Sequence, residues 1–153
     1  MFGDNGAKKL LFIGSDHAGF QMKGALVDYL KDKNFAVTDL GCFSEDPCDY
    51  PDIGREVGEK IVEHKGAFGI ALCGSGIGIS IAANKLKGIR CVLAVNEHMA
   101  ETARRHNDAN VLALGARENS LEEAKGIVDK FLTTDFESDQ ERHVRRVDKL
   151  STM

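Results

Sequence analysis

Short runs of apolar residues alternate along the chain with longer segments in which apolar residues recur every three or four positions. The short runs are typical of strands buried on both faces, and the longer segments are typical of amphipathic helices. Strands are predicted at 10–14, 35–40, 68–73, 89–95 and 111–114. Helices are predicted at 20–33, 52–64, 79–85, 97–105 and 120–131. This alternation predicts an α/β fold, a three-layer Rossmann-like domain with a five-stranded parallel sheet.

Polar residues near the helix ends refine these predictions. In the segment 20–33 the apolar positions share one face, which leaves Lys23 on the solvent side. Asp52 is expected to be the N-cap of the second helix. Glu123 is placed to complete a capping box in the helix at 120–131.

The end of the chain carries one more predicted helix, within 137–153. Val144, Val147 and Leu150 recur there every three residues and form a single narrow apolar stripe. Such a stripe indicates docking onto a partner subunit. The sequence has no internal repeat, low-complexity tract or linker-like segment, so 1–153 is predicted to be one domain, with 1–7 as a flexible extension.

The composition limits the choice of partners. The 153 residues include 20 basic and 24 acidic side chains, for a formal charge of -4 at pH 7. This balance argues against binding to nucleic acid or to an anionic membrane. The apolar run after Lys9 is too short for a signal peptide or a membrane span. No two of the four cysteines have C-x-x-C spacing, so we expect a cytoplasmic protein with reduced thiols.

Three glycines at alternate positions follow the third predicted strand, at Gly74, Gly76 and Gly78. Because a helix is predicted to begin there, backbone N–H groups and the positive end of the helix dipole converge on a small volume that suits an anion. The segment is not a P-loop, and it has Ile79 in place of the third glycine of the dinucleotide-binding motif. A tight turn without a ligand is the alternative interpretation.

Two side chains of this loop could carry chemistry. A helix N-terminus favours the thiolate form of a cysteine, so Cys73 is a candidate base or nucleophile, although free cysteines are also among the most buried residues. The Ser75 hydroxyl could relay a proton between two substrate oxygens or satisfy the backbone of the turn. Cys91 lies inside a predicted strand and is better explained by packing.

Two further pairs of polar residues are candidates. Asp16 and His17 follow the first strand, at the edge where parallel sheets bind ligands. Asp16 could also simply cap the next helix. His106 and Asn107 end the fourth helix, where a histidine can serve as general acid or base or can interact favourably with the helix dipole.

Basic residues near the end of the chain suggest a phosphate site. Arg142 and Arg146 are four residues apart and share one face of a helix, as a phosphate clamp requires, and Arg117 follows the fifth strand. A solvated charged tail is the alternative. The five histidines show no metal-binding motif, so no metal is expected.

Several segments resemble one known family. They are GSDHAGF at 14–20, DYPD at 49–52, CGSGIGISIAANK at 73–85, RHNDANVLALGAR at 105–117 and RHVRR at 142–146. Together, and in this order, they closely resemble the type B ribose-5-phosphate isomerases, a family that also includes galactose-6-phosphate isomerase subunits. The resemblance implies interconversion of ribose 5-phosphate and ribulose 5-phosphate in the non-oxidative pentose phosphate pathway, without metal or cofactor. It also implies a homodimer, or a tetramer of paired dimers, whose active sites use residues from both subunits.

The resemblance also implies roles for the residues of the loop. By the family pattern, Cys73 is the base that moves a proton between C2 and C1, and Ser75 helps move a proton between O1 and O2. The loop amides would stabilise the negative cis-enediolate. These amides belong to Gly74, Ser75, Gly76, Ile77 and Gly78. Another subgroup of the family has a glutamate base where this chain has Ile79, so the chain resembles the cysteine subgroup.

The remaining site residues would open the sugar ring and hold the phosphate. By the family pattern, His106 opens the furanose ring with support from Asp16 and Tyr50, and Asn107 binds a sugar hydroxyl or O4. The residues implied to bind the phosphate are His17, Arg117, Arg142 and Arg146.

Two other functions remain open at this point. A hexose 6-phosphate such as galactose 6-phosphate or allose 6-phosphate differs by one carbon, which the motifs do not distinguish. The same fold and glycine loop would also suit a nucleotide- or flavin-binding module without catalysis, with Glu97 as the ribose-binding acid.

Overall fold

A computed structural model describes residues 7–153, so six of the seven residues of the expected N-terminal extension lie outside the described part of the chain. The strands are β1 (Leu10–Ser15), β2 (Ala36–Asp39), β3 (Phe68–Cys73), β4 (Cys91–Leu93) and β5 (Val111–Gly115). The helices are α1 (Phe20–Asp32), α2 (Tyr50–Glu63), α3 (Ile77–Asn84), α4 (Glu97–Asn107), α5 (Leu121–Thr133) and α6 (Glu141–Ser151). A 3-10 turn, His17–Gly19, joins β1 to α1.

The five strands form one parallel sheet in the order β2-β1-β3-β5-β4. Apolar side chains from α1, α4 and α5, among them Leu26, Ala100 and Ile127, are buried on one face of the sheet. On the other face α2 and α3 bury Val57 and Ile79. The three-layer Rossmann-like prediction is confirmed, and α6 is the additional C-terminal helix.

Apart from β3, the observed elements begin or end one or two residues away from the predicted positions, and two of these differences are described here. The fourth strand is confined to Cys91–Leu93. The second helix begins at Tyr50, with Asp49 as the residue before it, so the prediction of Asp52 as N-cap is wrong. Pro51 explains the earlier start, since its fixed φ suits the first turn of a helix, where its missing N–H costs no hydrogen bond.

The predicted capping box of α5 is half formed. Ser120 accepts a hydrogen bond from the Glu123 N–H at 3.2 Å. The Glu123 carboxylate instead accepts a hydrogen bond from the Asn119 side chain at 2.8 Å. The apolar stripe of α6 is also only partly packed within this chain, since Val147 is buried while Leu150 is 44% exposed.

Lys23 is buried, and the prediction that it faces solvent is wrong. Its side chain is 1% exposed, and its ammonium group lies 2.7 Å from Asp39 Oδ1. The same group donates a hydrogen bond to the Cys42 carbonyl at 2.7 Å. Helical periodicity placed Lys23 outside the apolar stripe, but the loop after β2 folds over this part of α1 and supplies partners for its charge.

Loss of the Asp39 carboxylate is expected to destabilise the fold strongly. Asp39→Ala leaves the Lys23 ammonium buried without its counterion, which costs about 3 kcal/mol in the free energy of unfolding. Urea unfolding measures this change. Glu63→Ala is the control, because Glu63 pairs with Lys60 on the surface of α2 and its loss should leave the free energy of unfolding nearly unchanged. Equal losses in the two variants would contradict this interpretation of the buried pair.

Candidate active site

The carboxyl ends of β1, β3 and β5 lie side by side, at the edge where open parallel sheets bind ligands. Cys73 ends β3 and pairs in register with Gly115 at the end of β5. Next to it, the Asp16 N–H donates a hydrogen bond to the Leu72 carbonyl at 3.1 Å. The sheet therefore places the Cys73 loop beside the Asp16–His17 turn.

The loop after β3 has a backbone conformation that glycine favours. Gly76 has φ of +78°, and a Cβ there would lie 2.9 Å from the carbonyl carbon of Leu114. The chain therefore makes a left-handed turn against β5 and enters α3 at Ile77. The first amides of α3 have no carbonyl partner within the helix, so this end of α3 can donate hydrogen bonds to an anion.

The Cys73 thiol lies at the base of this loop. It is 4% exposed, and its Sγ accepts a hydrogen bond from the Gly76 N–H at 3.1 Å. The Ser75 hydroxyl accepts a hydrogen bond from the Ile77 N–H at 3.2 Å, so it satisfies the backbone of the turn. That contact leaves the hydroxyl hydrogen of Ser75 available for a further partner.

Two other predicted site residues border the loop. A Cβ at Gly78 would lie 2.6 Å from the Tyr50 ring, and a Cβ at Gly74 would lie 2.9 Å from the Arg117 guanidinium. The ring of Tyr50 and the cation of Arg117 therefore sit directly on the loop that holds Cys73.

Asp16 and His17 are both held by backbone contacts. Asp16 is 6% exposed, and its Oδ1 accepts hydrogen bonds from the N–H groups of Ala18 and Gly19 at 3.0 and 3.2 Å. The capping interpretation of Asp16 is thus confirmed, for the 3-10 turn. His17 Nδ1 lies 3.2 Å from the Cys48 N–H and 3.3 Å from the Cys48 carbonyl oxygen, so this side of the ring is held by the Cys48 backbone and Nε2 faces away from it.

Two other cysteines, Cys48 and Cys91, are half-buried, and their thiols have raised pKa values. Burial raises the pKa of the Cys91 thiol to about 12. Burial and the neighbouring Cys42 thiol raise the pKa of Cys48 to about 11. Both groups therefore carry their protons at neutral pH, in agreement with the interpretation of Cys91 as a packing residue.

His106 and Asn107 do not join this group within one chain. They end α4, which runs back antiparallel to the strands, and they precede the first residue of β5, Val111. Cys73 instead pairs with the last residue of β5. The four residue steps of β5 alone separate the two ends by about 13 Å.

His106 belongs to a second polar group, formed by the end of α4 and the start of α6. Its ring stacks on His143, with centroids 4.4 Å apart and planes 27° apart. Glu137 Oε2 lies 3.9 Å from His106 Nε2 and 3.5 Å from His143 Nε2. Sequence reasoning did not identify the involvement of Glu137 and His143. His143 stood inside the RHVRR segment, whereas no motif marked Glu137.

This second group contains residue types that bind metal ions, but positively charged arginine side chains lie next to it. Ligand atoms of His106, Glu137 and His143 all lie within 4.8 Å of one another. However, Arg142 Nε is 3.3 Å from His143 Nε2 and competes for its lone pair, and the Arg105 guanidinium pairs with the Glu137 carboxylate. Two guanidinium groups at these distances oppose a cation, so the residues fit a metal ion poorly.

The predicted arginine clamp lies on the exposed side of α6. Arg142 and Arg146 are both exposed, and neither makes an ion pair with a carboxylate within residues 7–153. Their neighbour Arg145 is paired with Glu141 at 3.1 Å. Both clamp residues belong to α6, which packs against the end of α4 that carries His106. Like His106, they are separate from the Cys73 loop.

Among the described residues, no helix is long and apolar enough to cross a membrane.

The Glu97 carboxylate packs against Gly126 of α5 and away from the glycine loop. A ribose-binding acid would have to face the ligand at that loop. The observed position weakens the nucleotide-binding alternative.

Comparison with known proteins assigns the chain to a family. A sequence model described as Ribose/Galactose Isomerase matches residues 11–150. Ribose-5-phosphate isomerase B of Escherichia coli strain K12 is 41% identical over 146 residues, which cover 95% of this chain and 96% of that protein. The crystal structure of a Thermotoga maritima ribose 5-phosphate isomerase superposes with a TM-score of 0.91 at 43% identity, covering 96% of this chain and 100% of the other.

A second solved structure carries a ligand. Ribose-5-phosphate isomerase B of Mycoplasma genitalium, with bound ribulose-5-phosphate, superposes with a TM-score of 0.88 at 41% identity and covers 94% of both chains. Sequence and structure agree over nearly the whole chain, and the chain belongs to the ribose/galactose isomerase family.

Proposed function

We propose that the protein interconverts D-ribose 5-phosphate and D-ribulose 5-phosphate, a step of the non-oxidative pentose phosphate pathway, with Cys73 as the base. The observation that carries the proposal is the Cys73 thiol, which is buried at the start of a glycine loop and 3.1 Å from the Gly76 N–H. The relative with bound ribulose-5-phosphate supports a pentose phosphate as substrate. Free thiols at all four cysteines suit a reducing compartment, so we place the protein in the cytoplasm.

The first proposed step opens the sugar ring. The ring of ribose 5-phosphate closes through O4, because O5 carries the phosphate. His106 donates a proton to O4 as the C1–O4 bond breaks, and Asp16, supported by Tyr50, accepts the proton from O1. C1 becomes an aldehyde, and the side-chain amide of Asn107 hydrogen-bonds the released O4 hydroxyl.

The second step moves a hydrogen between carbons. Cys73 removes the C2 proton, and the electron pair of that bond moves toward O1 to form a cis-enediolate. Ser75 relays the O2 proton to O1, and Cys73 then returns a proton to C1, so that the carbonyl group moves from C1 to C2. All the proton carriers are side chains of this protein, and the proposal includes no metal or cofactor.

The loop amides supply the electrostatic stabilisation of the enediolate. Donors that are already oriented toward a developing oxyanion need no reorganisation during the reaction. The first turn of α3 provides such donors beyond Ile77, whose own N–H already donates to the Ser75 hydroxyl. Loss of one donor of this kind costs about a hundredfold or more in rate.

The site is proposed to form between two subunits. One chain holds Cys73 and His106 at opposite ends of β5, so a single site needs the Cys73 loop of one subunit and the α4–α6 group of another. A twofold axis would then build two identical sites. Exposed apolar residues around the loop support self-association there. These residues are Ile77, Ile81, Val95 and Met99.

The C-terminal helix is proposed to dock on the partner. A groove of about 590 Å³ runs beside the edge strand β4 and is lined in part by Asn107, Leu150 and Met153. The last two are 44% and 84% exposed in the single chain. Contact with a second copy would bury this apolar end of α6 and bring the arginine clamp close to the partner's loop.

The phosphate is proposed to lie between side chains of both halves. His17 Nε2 and Arg117 approach it from the loop side, and Arg142 and Arg146 approach it from α6. Charge-assisted hydrogen bonds to the phosphate anchor the far end of the substrate, so that binding energy positions C1 and C2 at the thiol.

The proposed activity is tested by following ribulose 5-phosphate formation from ribose 5-phosphate with a chelator present. Galactose 6-phosphate and allose 6-phosphate are assayed in parallel. We expect turnover of the pentose phosphate alone, because the chain contains the base, the ring-opening histidine and the clamp. Turnover of a hexose phosphate alone would reassign the substrate. Inactivity of folded protein on all three sugars would refute the isomerase proposal.

Removal of the clamp is expected to weaken substrate binding more than it slows chemistry. In the double variant Arg142→Ala, Arg146→Ala, the KM for ribose 5-phosphate should rise at least about tenfold while kcat changes much less, because each charge-assisted contact contributes about 1.5–3 kcal/mol. Steady-state kinetics measure both constants. Arg145→Ala is the control on the same helix, since Arg145 is paired with Glu141. An unchanged KM in the double variant would mean that the tail is merely solvated.

A further inference from the structure

The proposed ring-opening residue, His106, is held by two residues that have no role in the scheme above. His143 is 4% exposed, and its ring stacks on the His106 ring at a centroid distance of 4.4 Å. The His106 side chain itself is 39% exposed. Stacking on the buried His143 ring fixes the plane of the His106 imidazole, and the exposed part of that imidazole is accessible to a substrate.

Glu137 supplies a fixed negative charge beside both rings. The Arg105 guanidinium donates a hydrogen bond to Glu137 Oε1 at 2.7 Å and holds the pKa of this carboxyl below its usual range. The carboxylate is therefore ionised at neutral pH. Its other oxygen, Oε2, faces His106 Nε2 at 3.9 Å and His143 Nε2 at 3.5 Å.

The backbone of the segment that carries Glu137 and His143 is also held by hydrogen bonds. The Glu137 N–H donates a hydrogen bond to the Arg105 carbonyl at 3.0 Å, so side chain and main chain both attach this residue to the end of α4. His143 lies in the first turn of α6, and its N–H donates to the Gln140 carbonyl at 2.9 Å. Backbone hydrogen bonds therefore hold both Glu137 and His143 in place beside His106.

We propose that Glu137 and His143 are positioning residues for His106, with Glu137 stabilising the imidazolium form that donates the proton to O4 and His143 fixing the plane of the ring. The inference rests on the proposed function, because it assigns roles within the ring-opening step. It predicts that these two residues matter for a ring-closed substrate and not for an open-chain one.

The two substrates of the reversible reaction allow ring opening to be measured separately from the enediolate step. Ribose 5-phosphate must be opened before its C2 proton can be removed. Ribulose 5-phosphate cannot form the corresponding ring, because its O5 carries the phosphate, so exchange of its C1 hydrogen with deuterium from D2O requires only the enediolate step. The ratio of ribose 5-phosphate turnover to C1 exchange therefore reports ring opening alone.

Glu137→Gln removes the charge and keeps an oxygen for Arg105. We expect ribose 5-phosphate turnover to fall at least about tenfold and C1 exchange to stay within about twofold of the unaltered protein. Glu141→Gln is the matched control, since Glu141 pairs with Arg145 on the same helix and both rates should persist. Equal loss of both rates in Glu137→Gln, or no loss of either, would overturn the role of Glu137.

Two variants of His143 test whether its ring fixes the plane of the His106 ring by stacking. His143→Ala should lower the same ratio at least about tenfold, and His143→Phe, which retains a flat ring, should restore most of it. A phenylalanine variant as impaired as the alanine variant would overturn the stacking role. If the unaltered protein shows neither turnover nor exchange, the proposed function itself has failed, and the result is thereby distinguished from failure of the positioning roles.

Discussion

Cys73→Ala is expected to abolish both ribose 5-phosphate turnover and C1 hydrogen exchange in ribulose 5-phosphate. Without the thiol no group at the start of the loop can carry the proton between C2 and C1, and general base catalysis of this kind contributes about 10²–10⁴-fold. The fold should survive, because the substitution removes one buried atom and one hydrogen bond with Gly76. Both rates are measured by proton NMR in D2O, and thermal unfolding reports the fold.

Cys91→Ala is the control for the cysteine substitution. Cys91 is a half-buried residue whose thiol has a pKa raised to about 12 by desolvation, and it lies in the edge strand away from the loop. This variant should keep near-normal turnover. Near-normal turnover in Cys73→Ala would instead remove Cys73 from the mechanism, and the enediolate would need another base.

Mixing two inactive variants is expected to restore activity. A dimer that combines one Cys73→Ala chain with one His106→Ala chain has one site with both defects and one site with neither. When equal amounts are unfolded and refolded together, about half of the dimers are of this mixed kind, so about one quarter of the unaltered activity should return. Steady-state turnover before and after refolding measures the recovery.

The mixing experiment would contradict a shared active site if no activity returned. If each site were built within one chain, every site in the mixture would carry one of the two defects, and no activity would return. Each variant refolded alone controls for reversion or contamination. Size-exclusion chromatography shows whether mixed dimers have formed, so that failure to assemble is distinguished from failure to complement.

The sheet and its glycine loop could be predicted from the sequence because both are local patterns. The run at 68–73 is wholly apolar, and β3 has the same bounds. The position of Cys73 at the start of the glycine loop follows from the glycines beside it. Lys23 shows where local patterns are insufficient, since its burial depends on Asp39 in a different element and on a loop that folds over α1.

The site itself was predictable as a set of residues but not as an arrangement. Family motifs named both Cys73 and His106, whereas the direction of α4 relative to the sheet places them at opposite ends of β5. The contact between His106 and Glu137 joins residues that are distant in sequence and share no motif. Such a contact depends on how the segment before α6 packs against the end of α4.

The most direct measurement for the proposed enediolate chemistry is the isotope content of the product formed in D2O. Folded protein with a chelator present converts ribose 5-phosphate through many turnovers, and NMR then reports deuterium at C1 of ribulose 5-phosphate. We expect deuterium at C1, because the Cys73 thiol exchanges its proton with solvent while it carries hydrogen between the two carbons. A product without deuterium, even after each sugar molecule has passed through the site many times, would contradict the account, since a thiol that exchanges with solvent cannot return the same proton at every passage, whereas direct hydride transfer would.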